Sequence, residues 1–179
     1  MLQNLLRSRS RSPAPPRAGE ALYALAVTQA RDPGFYTTLG VADRIDARFE
    51  LYTLHVLLLV LRLRDGGDRG GEAAQVLFDV YVSALDNALR ELGVGDVSVG
   101  KKMRKLGEAL YGRMTAYETP LRDGDETALA EALVRNVYAG GDEAQGLRLA
   151  RYALACRKSL ADQSLEAVER APAWAEMPV

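Results

Sequence analysis

The chain has 179 residues, with 23 Lys and Arg against 24 Asp and Glu and a formal net charge of −1. That length suits one domain with a sizeable core, and the charge balance excludes a chain built as a whole to bind a polyanion. A single cysteine, Cys156, excludes an intramolecular disulfide framework and a cysteine-rich zinc site, and it fits a reducing compartment.

Residues 1–17 differ in composition from everything after them. They carry Arg7, Arg9, Arg11 and Arg17, several serines, and no acid before Glu20. An Arg-rich, Ser-rich, acid-poor start suits a mitochondrial transit peptide or a contact with an anionic membrane surface. The competing reading is a short frayed tail, and Pro13, Pro15 and Pro16 predict a stiff non-helical spacer after it.

From residue 18 the pattern is helical. "GEALYALAVTQAR" predicts a first helix that stops before Pro33. The connecting "DPGFYTTLGVADR" exposes Phe35 and Tyr36 unless they fold back onto the core. Asp43 reads as the N-cap of a helix running to about Arg64. Its stretch "LYTLHVLLLVLRL" is too short and too interrupted to span a bilayer, which takes about 20 apolar residues. Apolar nearly all round, it predicts a central buried helix.

"DGGDRGG" reads as a flexible loop, followed by a helix from Glu72 to Leu92 that stops at Gly93. Asp96 begins the next helix, which ends before Pro120. Asp125 caps a short one, and a last helix runs from Asp142 to about Arg170. No alternating β-branched run predicts a strand. The expectation is an all-α, single-domain bundle of about six helices over residues 18–171, with residues 172–179 a loose tail.

Gly95, Gly100 and Lys101 match the frame of a phosphate-cradling loop, yet Lys102 stands where a magnesium-binding Ser or Thr is needed. Val99, Met103, Leu106, Leu110, Met114 and Tyr117 are instead spaced 4-3-4-4-3, an apolar helical stripe. Gly100 and Gly107 flank it and predict close approach of a neighbouring helix. Lys101, Lys102, Arg104 and Lys105 lie on the opposite face, with Arg113 extending it; this reads as a solvated helix face or as a docking surface for an acidic partner or RNA phosphates. No aromatic residue is interleaved there, so sequence-specific nucleic-acid binding is not indicated. Asp86 is placed to pair with Arg90 at i+4.

His55, the only histidine, reads as a hydrogen-bonded core residue, with axial haem ligation the weaker reading. One histidine cannot build a di-iron carboxylate bundle. Cys156 precedes Arg157 and Lys158 but has no base placed to assist it. No catalytic constellation emerges, and no cofactor or metal is expected.

The blocks "LYALAVTQAR", "DPGFYTTLGVADRIDARFELYTLHVLLLVLRL" and "LFDVYVSALDNALRELGVGDVSVGKKMRKLGEALYGRMTAYE" together resemble the ubiquinol–cytochrome c chaperone family. The similarity runs from about Leu22 to the last helix, and R-E-x-G-V-G-D-x-x-V-G-K followed by Y-G-R is its distinctive part. Where the family carries an acidic pair ahead of L-R-E, this chain has Ala84 and keeps Asp86. The resemblance implies an all-α, non-enzymatic assembly factor for the cytochrome bc1 complex. Its client is newly made cytochrome b, and its neighbours are a small partner protein and the ribosome. Composition suits a purple-bacterial relative, acting in the cytoplasm at the inner face of the inner membrane; the alternative is the mitochondrial matrix. The surfaces expected to meet a partner are Phe35 with Tyr36, Asp86 with Arg90, and the Lys101 face. A haem-handling role for His55 and a membrane adaptor held by residues 1–17 are the rival readings.

Overall fold

The computed structural model of the chain describes residues 16–91 and 96–178. Among the described residues every regular element is helical: α1 (Pro16–Ala30), α2 (Gly34–Thr37), α3 (Ile45–Arg64), α4 (Gly67–Glu91), α5 (Asp96–Asp123), α6 (Glu126–Asn136), α7 (Glu143–Ala161) and α8 (Leu165–Arg170). The expected all-α class holds, and the six longer segments correspond to the six predicted helices.

A helix that is apolar on every side has to be covered on every side. Every residue of α3 from Thr53 to Leu63 is buried, and α3 is packed by α1, α4, α5, α7 and α8. Arg62 at its end turns inward. Its Nε donates to Leu160 O at 2.7 Å and its Nη2 to Gln163 O, so a cation meets carbonyls at and just past the end of α7.

Several boundaries differ from the sequence expectation. Helix α1 starts at Pro16, where fixed φ and a missing N–H suit the first helical position, so Pro16 belongs to the helix and not to a spacer. Asp43 does not cap α3; it pairs with Arg48, and the preceding Arg44 makes no side-chain cap. The "DGGDRGG" stretch is not a flexible loop: Asp65 and Gly66 make a tight turn, and α4 begins at Gly67. Gly70 is buried there, and a Cβ on it would lie 1.9 Å from Leu63 O, so glycine permits the tight return from α3. Helix α5 continues through Pro120 to Asp123, because Leu121 is buried and holds the last turn onto the core.

The final predicted helix is two helices, broken at Asp162–Gln163, with Ser164 capping α8 through Ala167 N. Asp125 and Asp142 cap α6 and α7 as expected. The Gly93 stop and the basic stretch before residue 16 lie outside the described residues.

Residues 171–178 have no regular structure but are not loose. Gln163 Nε2 donates to Ala173 O at 2.9 Å while Ala173 N donates back to Gln163 Oε1 at 2.9 Å. Ser159 Oγ also donates to Ala173 O, and Ala175 N donates to Cys156 Sγ at 3.4 Å. Trp174, Ala175 and Met177 pack on the core.

Candidate functional site

Helices α4 and α5 contact one another, but only part of each belongs to the core. Tyr81 is buried, whereas no residue from Val82 to Glu91 is; Leu110, Met114 and Tyr117 are buried, whereas no described side chain from 98 to 109 is. The stripe on α5 is thus a core stripe over its second half and a half-exposed one over its first, where Met103 and Leu106 lie. On α4, Leu85 is half-exposed but still packs against the core, and Leu89 beyond it is half-exposed in the same way as Met103 and Leu106. The two helices run out of the bundle as an arm with apolar side chains that the core does not cover.

Lys101, Lys102, Arg104 and Lys105 are exposed on the α5 part of this arm, and Arg104 reaches Glu108 at 3.2 Å on its own helix. Asp86 and Arg90 pair at 2.8 Å on the α4 part. The close approach expected at Gly100 and Gly107 is not found: a Cβ at either would meet nothing within 4 Å. Those glycines leave the helix face bare instead of packed.

Three expected site residues are turned wholly or partly toward the interior. Phe35 is 0% exposed and stacks edge-on to His55 at 5.3 Å and to Tyr152 at 5.1 Å. It is a core residue, since α2 folds its aromatic ring inward, and it is not available to a partner. Tyr36 is half-buried under the Arg48 guanidinium, 5.9 Å from its ring centroid. Arg113 leaves the basic face to pair through Nε with Oε1 of Glu50, whose side chain is 3% exposed, and it lies over the Phe49 ring at 5.5 Å.

Glu50 is a residue that sequence reasoning missed; the signal was an acid between Phe49 and Leu51 at the head of an apolar helix. Burial holds its carboxyl above the usual carboxylate range despite Arg113. Beside it, Thr53 Oγ1 donates to Phe49 O at 2.8 Å, which leaves Thr53 to accept from the Tyr81 hydroxyl at 2.7 Å. Glu50 and Thr53 of α3, Tyr81 of α4 and Arg113 of α5 form the polar root from which the arm leaves the core.

His55 is the core residue the sequence suggested. Its Nδ1 lies 2.7 Å from Leu51 O, a carbonyl that can only accept, so Nδ1 carries the proton. Nε2 then accepts from the Tyr152 hydroxyl at 3.0 Å, and that oxygen accepts from Gln29 Nε2 at 3.0 Å. Full burial lowers its pKa to about 4, so the ring is neutral. With both nitrogens engaged it presents no open ligand to haem in this conformation. Burial likewise pushes the Cys156 thiol upward, which fits an inert cysteine.

The arrangement defines a class: an all-α bundle whose interior polar groups hold shape and whose exposed cations gather on the outer part of α5. The chain belongs to the ubiquinol-cytochrome C chaperone family, whose model matches residues 37–174. It is similar to the Cbp3 homolog from Brucella abortus, known from a crystal structure, at 33% identity and a TM-score of 0.80, covering 99% of this chain and 98% of that one. No curated protein matches the sequence significantly. Among the described residues, no helix is long and apolar enough to cross a membrane.

Proposed function

We propose that this chain is a non-enzymatic chaperone that binds newly made cytochrome b and supports assembly of the ubiquinol–cytochrome c reductase (cytochrome bc1) complex. The family match over residues 37–174 carries this reading. The likeness to the Cbp3 homolog over nearly the whole chain supports it.

The arm supplies a physical route. Half-exposed Leu89, Met103 and Leu106 offer apolar cover, and Lys101, Lys102, Arg104 and Lys105 offer positive charge. A membrane protein caught before assembly exposes apolar helices, and the surfaces around it, ribosomal RNA and anionic lipid, are negative. The working position we propose is the cytoplasmic face of the inner membrane, with the ribosome and a small partner protein as further contacts.

Affinity capture of the full chain from growing cells is expected to bring down cytochrome b, and deleting the gene to lower the assembled bc1 complex. Normal levels of that complex after deletion would falsify the proposal. Reversing the charge at Lys101, Lys102, Arg104 and Lys105 together is expected to reduce capture at least tenfold, at unchanged melting temperature. Capture by the wild-type chain should also weaken as salt is raised.

A further inference from the structure

The segment 171–178, without regular structure, lies on the core through contacts whose chemistry is that of a peptide site. The first is Gln163, whose side-chain amide reads both the N–H and the C=O of Ala173. That pairing recognises a peptide backbone regardless of the side chain it carries. Next to it the indole of Trp174 stands edge-on to His55 at 5.2 Å, over the ring cluster that His55 makes with Phe35 and Tyr152. Three residues further on, Met177 crosses Gly34, where a Cβ would come within 3.1 Å of its Cγ.

The segment is held lightly. Among the described residues, no backbone–backbone hydrogen bond involves 172–178; the last runs from Ala171 N to Ala167 O. What fastens it is side-chain contact from Ser159, Gln163 and Cys156. Trp174, Ala175 and Met177 are only half-buried, whereas Phe35, His55, Tyr152 and Cys156 beneath are 0 to 1% exposed. A site with a backbone clamp and an aromatic slot, covered by an irregular segment without ladder bonds, is one that a competing segment can enter.

We infer that residues 171–178 occupy a binding groove for an extended apolar segment of a partner chain, one that places an aromatic side chain on the His55–Phe35–Tyr152 cluster and its backbone amide on Gln163. This rests on the chaperone reading only for the source of the segment, an unassembled stretch of the client. The chain's own segment holds the groove when no client is present.

Trp174 is the single tryptophan, so displacement can be read directly. The probe is a synthetic peptide with the sequence of residues 171–178 and phenylalanine in place of the tryptophan, added to the full chain. Expected is a saturable red shift of Trp174 emission as the indole leaves the rings for water. A fluorescein-labelled peptide of the unaltered sequence is expected to bind Trp174→Ala at least tenfold more tightly than wild type. Adding Gln163→Ala to that variant is expected to cost at least tenfold. Emission unmoved up to millimolar peptide overturns the inference, as does equal binding by the single and double variants. The emission arm uses only the unmodified chain, so it decides even where a variant folds poorly. Normal bc1 assembly in cells alongside failed peptide binding removes the groove and leaves the chaperone proposal standing.

Discussion

Glu50 and Arg113 lie 63 positions apart in the chain and meet with Glu50 almost wholly out of water. Breaking a buried pair from one side strands the other charge, at a cost of about 3 to 5 kcal/mol. Arg113→Met should therefore lower the urea midpoint strongly, while Lys101→Met, on the exposed face, should leave it within error. Equal effects would put Arg113 back on the surface. His55 makes a second residue-scale prediction. Its pKa is about 4 in the folded chain against about 6.5 when unfolded. The unfolded state therefore takes up the proton first as pH falls. Stability from this group is complete above about pH 6.5 and is lost on descent to about pH 4, roughly 3 kcal/mol in all. Glu50, held above its ordinary value, acts with the opposite sign. Urea titrations of wild type and His55→Gln across that range should differ in slope, the variant being flatter; parallel curves would dismiss the account. At this scale His55 was legible because a lone polar ring in an apolar run has few alternatives. Arg113 was not, because its partner Glu50 sits on another helix and no local spacing announces it.

Element by element, the glycines separate into two kinds that sequence alone does not distinguish. At Gly70 a methyl group would strike the Leu63 carbonyl oxygen, while at Gly107 it would meet open space. Gly70→Ala is expected to cost more than about 3 kcal/mol through forced separation of α3 and α4. Gly107→Ala should stabilise by roughly 0.5 to 1 kcal/mol, since alanine removes backbone freedom from the unfolded chain. Thermal melts of the two variants should move in opposite directions, and a drop for Gly107→Ala would mean that something packs there. Reading "DGGDRGG" as a loop followed composition, but the tight return to α3 needs small residues inside a helix, and tertiary contact outweighs propensity. Pro120 is the same lesson reversed: Leu121 anchors the final turn, so the helix passes its proline. Helix starts at Asp125 and Asp142 were legible because capping is local chemistry. The course of residues 171–178 was not, since what fixes it is a clamp from Gln163.

For the molecule as a whole, the periodicity that predicts a buried central helix also predicts the class, because α3 can be satisfied only by helices on all its sides. What it leaves unread is where α4 and α5 outrun the core, for an apolar stripe looks alike whether covered or bare. The halves beyond Tyr81 and before Leu110 make few buried contacts, which sets the free energy of opening them below that of global unfolding. Amides at 84–90 and 100–108 should exchange with deuterium orders of magnitude faster than those at 53–63, at rates that low denaturant hardly changes. Uniform protection along α4 and α5 would contradict this. Two stability tiers in one small domain leave the outer tier free to bend and re-form against the client proposed above. The inner tier, with α3 at its centre, never registers the strain.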